Sequence, residues 1–76
     1  MNNKRRDAIN KLIGQIDDLK SQLETLKEEE EEAYDNMPEG LQGSDKGEAA
    51  QAAIDALESA VGSLEEAVGS MEEATA

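Results

Sequence analysis

The residues of this 76-residue chain that could take part in chemistry are its carboxylates, and they are unevenly distributed. Residues 1–27 carry six Lys or Arg against four acids, whereas residues 28–76 carry Lys46 alone against fifteen acids. Five consecutive glutamates, Glu28 to Glu32, open the acidic part, and the net charge of the chain is -12. A surface of this sign repels free nucleic acid and attracts basic protein surfaces. We therefore predict a basic protein partner and no direct nucleic-acid binding.

The acidic run has three interpretations. It is a docking surface for a basic protein, an imitation of the phosphates of a nucleic acid, or a solvated stretch of helix that keeps the protein soluble. The net charge favours a binding role, because solubility alone requires a charge of magnitude only ~2 to 8. The predicted partner-binding residues are Glu28, Glu29, Glu31, Glu32, Tyr34, Asp35, Asn36, Glu39 and Gln42.

The segment from Tyr34 to Ser44 is the second candidate site. It combines the single Tyr of the chain with apolar and hydrogen-bonding side chains, which is the composition of a small-ligand pocket or of a binding epitope at the end of a bundle. The alternative is that the segment closes the bundle. In that case Met37 and Leu41 cover the end of the core, and Asn36 stabilises the turn.

Catalysis and metal binding are not predicted. The chain has no His and no Cys, and none of its five serines has an evident base beside it. Carboxylate metal sites in helical bundles use a Glu-x-x-His motif, and the spacing around Asp35 and Asp45 is not that of a calcium loop. We therefore expect no enzymatic activity, no cofactor and no metal.

Residues 54–74 repeat one heptad three times, as IDALESA, VGSLEEA and VGSMEEA. Each copy has an aliphatic residue first, Leu or Met fourth and Ala seventh, which is the pattern of a coiled-coil seam. Gly62 and Gly69 fall on the outer side of this seam. They are either tolerated weaknesses, each costing ~1 kcal/mol relative to Ala, or points of close contact with a further chain.

The first half of the chain has the same seven-residue period. One column consists of Ile9, Ile16, Leu23 and Met37, and the other of Leu12, Leu19, Leu26 and Ala33. Ile13 and Tyr34 stand one place after a core position and widen the apolar stripe, whereas Glu30 occupies a core position and interrupts it. The predicted oligomer seam consists of Ile9, Leu12, Ile16, Leu19, Leu23, Leu26, Ile54, Leu57, Val61, Leu64, Val68 and Met71.

A single break separates the two periodic stretches. Pro38 cannot donate a backbone hydrogen bond and disfavours helix at the residue before it. Ser44 or Asp45 is placed to cap a new helix, and Glu48 follows Asp45 at the spacing of a capping box. We predict one all-α domain over residues 1–76, with helix 1 at about residues 4–36, a loop at 37–45 and helix 2 at about residues 46–74.

The two predicted helices form an antiparallel two-helix coiled-coil hairpin. Lys4, Arg5 and Arg6 then lie beside Glu72 and Glu73, and each exposed pair of opposite charges favours this orientation by ~0.2 to 1 kcal/mol. One seam is insufficient for so short a chain, and a column of alanines gives helix 2 a second edge that another helix can approach closely. This column is Ala53, Ala60, Ala67 and Ala74. We predict a homodimer or higher oligomer, built as a four-helix bundle.

Membrane insertion and secretion are not predicted. No stretch approaches the ~20 apolar residues of a membrane span, and the basic start MNNKRRDAIN is not followed by the apolar run of a secretory signal. We expect a soluble cytoplasmic protein.

The stretch YDNMPEGLQGSDKGEAAQAAIDALESA carries a family resemblance. A Glu-rich helix end, an Asp-Asn-Met-Pro-Glu-x-Leu-Gln loop and a second heptad helix resemble uncharacterised small acidic helical-hairpin proteins of bacteria and their phages. The resemblance covers about residues 28–70 and transfers no catalytic residue. It implies a phage or mobile-element protein that docks on a host protein in the host cytoplasm. The alternatives are a nucleic-acid mimic that inhibits a host defence or DNA- or RNA-binding enzyme, and a bundle that sequesters a small ligand.

Overall fold

The computed structural model describes all 76 residues, and it contains helices and no strand. Helix α1 spans Asn3–Asp35, the one-turn helix α2 spans Glu39–Gln42, and helix α3 spans Asp45–Thr75. α1 and α3 pack against each other in a body that measures 58 × 15 × 12 Å. The predicted all-α class and the pair of long packed helices are confirmed, and α2 adds a helical turn inside the predicted loop. No helix of the chain combines the length and the apolar character needed to cross a membrane.

α3 turns one narrow side toward α1. Its four buried residues are Gly47, Ala50, Ile54 and Val61, and Ile54 retains only 7% of its surface exposure. Half-buried residues continue the same side toward the C-terminus, and these are Leu57, Leu64, Val68 and Met71. The spacing alternates between three and four residues throughout, so α3 packs through the columns of its heptad repeat.

α1 packs through a different side from the one predicted. Leu12 is 49% exposed, and Leu19 and Leu26 are each 54% exposed. The half-buried side of α1 instead consists of Ile9, Ile13, Ile16, Lys20, Leu23, Lys27, Glu30 and Tyr34. Within the hairpin, the prediction that the column of Leu12, Leu19 and Leu26 packs against helix 2 is therefore wrong.

The column that replaces these leucines lies one residue further along α1, at Ile13, Lys20, Lys27 and Tyr34. One residue corresponds to a rotation of ~100° about the helix axis. Lys20 and Lys27 can occupy seam positions because a lysine can bury its aliphatic stem while its ammonium group stays in water. In the structure the ammonium group of Lys20 reaches Glu65 of α3, at 3.7 Å. This pair joins α1 and α3 on the side of α1 that carries the lysines.

The connection between the long helices is held by close backbone contacts. The Gln42 side-chain amide donates a hydrogen bond to the Tyr34 carbonyl oxygen, at 3.1 Å, and so ties α2 to the end of α1. Gly47 is buried against α2, and a Cβ atom at this position would overlap the Gln42 carbonyl group. Only glycine fits at residue 47 without a shift of the backbone.

The helix caps differ from those predicted. Ser44 occupies the N-cap position of α3, but its hydroxyl donates to the Leu41 carbonyl oxygen and caps no amide of α3. The predicted capping box of Asp45 and Glu48 is therefore wrong, because Asp45 is already the first helical residue. α1 has the side-chain cap that α3 lacks, since the Asn2 side chain accepts a hydrogen bond from the Arg5 amide at 2.8 Å.

An acidic groove and an apolar face flank the seam

An open groove runs along one side of the seam between α1 and α3. We call it the acidic groove, because seven carboxylates line it. α1 contributes Glu24, Glu28, Glu31 and Asp35, and α3 contributes Asp55, Glu58 and Glu65. The floor includes Ile54 and Val61 of the seam, and Lys27 is the only cation among the lining residues.

The helical repeat explains why these carboxylates meet. Residues 24, 28, 31 and 35 are separated by three or four positions, so they form one row along α1. On α3, Glu58 and Glu65 directly follow the half-buried Leu57 and Leu64, and therefore flank the seam. Antiparallel packing places these two rows on the same side of the hairpin. Glu58 and Glu65 therefore lie beside the seam of α3 and not on the side opposite to it.

Two lysines neutralise part of the acidic groove. The Lys20 ammonium lies 3.7 Å from Glu65, and the Lys27 ammonium lies 3.5 Å from Glu31. The side chains of Lys20 and Lys27 retain 27% and 23% of their exposure, and those of Glu65 and Glu31 retain 56% and 46%. Pairs this exposed are worth ~0.2 to 1 kcal/mol each. Five of the seven carboxylates have no cation within ion-pair distance, so the groove keeps a strong negative potential.

The predicted pairing of the N-terminal cations with the C-terminal acids is not observed. Lys4, Arg5 and Arg6 form no ion pair with Glu72 or Glu73, and the one ion pair that joins the two helices is Lys20–Glu65. The guanidinium of Arg6 instead donates a hydrogen bond to the side chain of Asn3, at 3.2 Å. The orientation of the hairpin therefore comes from its short connection and its seam.

The acids of the groove are spread along the hairpin. No group of three acidic residues comes close enough together to hold a metal ion. The row from Glu24 to Asp35 extends over roughly 17 Å at ~1.5 Å per residue. Such an arrangement matches an extended ligand with several positive charges better than a single cation.

The predicted partner-binding residues fall into three groups. Glu28, Glu31, Tyr34 and Asp35 line the acidic groove. Glu29 and Glu32 are exposed outside it, and Asn36 and Glu39 are exposed at the turn. Gln42 is half-buried, and its amide is used within the fold. Four carboxylates of the groove were not among the predicted residues, and these are Glu24, Asp55, Glu58 and Glu65. The position of Glu58 and Glu65 directly after heptad leucines was visible in the sequence.

The segment after Asp35 does not line the acidic groove, since Asp35 is the last residue of α1 that lines it. Met37 is half-buried, whereas Leu41 is 45% exposed. The interpretation that Leu41 covers the end of the core is therefore wrong, and the closure is made instead by the contact of Gly47 with Gln42.

The opposite side of the seam has the reverse character. We call it the apolar face, and it consists of three α1 leucines and four α3 alanines. Leu12, Leu19 and Leu26 are about half exposed, Ala53, Ala67 and Ala74 are exposed, and Ala60 is half-buried. The hairpin thus carries a charged edge and an apolar edge on the two flanks of one seam.

Comparison of the chain with protein-family models, with curated proteins and with solved structures finds no match.

Proposed function

We propose that this chain is a non-enzymatic protein-interaction module whose acidic groove binds a basic segment of a partner protein. The observation that supports the proposal is the convergence of seven carboxylates from two helices on one groove, with Lys27 as the only lining cation. The resemblance of residues 28–70 to small phage and bacterial hairpin proteins extends the proposal. On that basis the chain comes from a phage or mobile element, and the partner is a host protein.

The form of the groove defines the expected ligand. Individual exposed ion pairs contribute ~0.2 to 1 kcal/mol, so useful affinity requires several at once. A helix or extended strand with Lys or Arg on one side can meet the acidic rows of α1 and α3 together. Binding of this kind is fast and weakens as salt is added, because the charges are solvent-exposed. A small apolar metabolite fits less well, since Tyr34, Ile54 and Val61 are the only hydrophobic residues that line the groove.

The test compares two triple variants with the same change in charge. The groove variant replaces Glu24, Glu28 and Glu58 by Gln, and leaves both ion pairs intact. The control variant replaces Glu48, Glu66 and Glu73 by Gln, all of which are exposed outside the groove. Circular dichroism first establishes that both variants retain the helical content of the parent chain.

We expect tagged parent and control chains to capture the same partner from host lysate, and the groove variant to lose it. Equal loss in both variants would show that only net charge matters, and equal retention would remove the groove from the mechanism. Added DNA or RNA provides a further measurement. If nucleic acid and this chain exclude each other on the captured partner, the chain acts as a nucleic-acid mimic.

The proposal includes self-association into a four-helix bundle, which the apolar face supports. Leucines that are half exposed in the hairpin gain a buried environment when a second copy covers them. We expect a mass above that of one chain by light scattering, and a melting temperature that rises with protein concentration. A monomeric mass at micromolar concentration with a concentration-independent melt would contradict this part of the proposal.

A further inference from the structure

The apolar face is part of a wider uncharged surface. A third of the chain is charged (34%), yet the positions that flank the apolar face carry no charge over residues 8–26 of α1 and 49–74 of α3. Three residues later or four residues earlier on each helix lie neighbours on the same side. These neighbours are Ala8, Gln15 and Gln22 on α1, and Ala49, Ala56, Ser63 and Ser70 on α3, all of them exposed.

We infer that this surface is covered by a second copy of the chain, packed face to face in the opposite direction, with the two connections at opposite ends of the bundle. The inference rests on the proposed self-association and specifies its geometry. The two-fold axis passes near Leu19, where each α1 crosses the other. Leu12 of one copy then packs against Leu26 of the second copy, and Ala67 lies against Ala67 of the second copy.

The charges along α1 support this direction. Lys4, Arg5, Arg6 and Lys11 form no ion pair in the hairpin, and Glu31 is the only member of the run Glu28 to Glu32 that has one. Reversing one α1 against another about Leu19 places residues 4–11 of each copy beside residues 27–34 of the other. The unpaired cations of one copy thereby meet the acidic run of the second.

The alternative direction brings like charges together. If the two connections lay at the same end, α1 would pack beside α3 of the second copy, and both acidic runs would stand at that one end. Opposite ends separate the centres of the two runs by about 33 Å at ~1.5 Å per helical residue, far beyond the ~8 Å over which charges interact at physiological salt.

The size of the surface is adequate for a stable dimer. The hairpin is 58 Å long and 15 Å wide, and its footprint is of the order of the ~800 Å² that each partner buries in a stable interface. A two-fold arrangement uses the same surface on both copies, so neither copy leaves its leucines exposed.

Spin labels at a single introduced cysteine distinguish the two directions, because the chain has no cysteine of its own. Asn36→Cys places an exposed label just beyond α1. Opposite ends predict a label-to-label distance of about 50 Å at ~1.5 Å per helical residue, and the same end predicts about 20 Å or less. A label at Ser21→Cys lies near the proposed axis and should give a short distance whether the two copies pack in opposite directions or in the same direction. This control verifies that a labelled dimer is present.

Three outcomes are informative. A mass twice the 8.2 kDa of one chain, with a label distance near 50 Å at residue 36, supports the inference. The same mass with a short distance at residue 36 overturns the direction and leaves self-association standing. A mass of one chain overturns self-association itself and leaves the acidic groove unaffected.

A charge variant tests which surface is covered. Leu19→Lys puts a cation at the centre of the apolar face, at a side chain that is 54% exposed in the hairpin. We expect the mass to fall to that of one chain, whereas Ser59→Lys, exposed on another side of α3, should leave it unchanged. A dimer that survives Leu19→Lys would remove the apolar face from the interface.

Discussion

The two edges of the hairpin flank the same seam and differ in almost every other respect. One edge is the acidic groove, in which Glu58 and Glu65 follow the seam leucines of α3 directly. The other edge is the apolar face, in which Leu19 and Leu26 stand one place before the seam lysines of α1. Along either helix, a residue of the groove and a residue of the face stand only two positions apart. This small shift separates a surface suited to a basic ligand from one suited to another apolar surface.

The difference between the two edges shows that the exposure of an apolar residue in the hairpin does not by itself reveal the role of that residue. Leu19 is an apolar residue, and it is exposed because α3 packs against the neighbouring column of α1. The comparison between seam, groove and face can therefore be tested by substitutions that affect one and leave the others unchanged.

The largest expected effect separates the seam from the apolar face. Ile54→Ala removes a side chain that is only 7% exposed, and we expect a loss of ~2 to 5 kcal/mol in the free energy of unfolding. Leu19→Ala removes a side chain that is 54% exposed, and at high dilution it should change that free energy by no more than ~0.5 kcal/mol. Denaturant titration measures both values.

Concentration sharpens the same comparison. The effect of Leu19→Ala should grow as the protein concentration rises, because a second copy then covers residue 19. If Leu19→Ala were as destabilising as Ile54→Ala at every concentration, the side of α1 that packs in the hairpin would be the predicted leucine column after all.

The second effect compares two glycines. Gly47→Ala would drive a Cβ atom into the Gln42 carbonyl, whereas the space around Gly62 beside the groove is open. We expect Gly47→Ala to destabilise the fold by ~1 to 3 kcal/mol and Gly62→Ala to stabilise it by up to ~1 kcal/mol. Thermal melts of both variants measure the difference, and equal stabilisation by the two substitutions would contradict the close packing at residue 47. Gly69 has the same open surroundings as Gly62, so within the hairpin neither marks a close contact.

The smallest effect concerns the ion pair at the edge of the groove. Lys20 and Glu65 lie 3.7 Å apart and remain partly exposed, so a double-mutant cycle of Lys20→Gln and Glu65→Gln should give a coupling of ~0.2 to 1 kcal/mol. The coupling should shrink toward zero near 1 M salt, because the screening length falls to ~3 Å. A coupling that persists at that concentration would mean that the pair is shielded from solvent.

The two helices were not equally predictable. α3 has one apolar stripe, repeated in three heptads without an interruption, and its packing columns follow from the sequence. α1 has one column, Ile9, Ile16 and Leu23, that packs in either case, and a second packing column can lie on either side of it. The leucines form one of these and Ile13, Lys20, Lys27 and Tyr34 form the other, and hydrophobicity alone favours the leucines.

The candidate site was predicted in part for the same reason. The position of Glu28, Glu31, Tyr34 and Asp35 on one helical side follows from their spacing. Their meeting with Asp55, Glu58 and Glu65 depends on which side of α1 faces α3, and the spacing within α1 contains no information about that choice.

The sequence by itself determined that this chain forms two long helices with a break at Pro38, that α3 has a heptad seam, and that the surface is strongly negative. These properties depend on local periodicity, backbone restriction and charge. The tertiary structure alone decided which side of α1 enters the seam, that Gly47 must approach the backbone of Gln42, and that acids from both helices share one groove. Such features depend on the relative rotation and register of two helices, which arise from contacts between residues far apart in the chain.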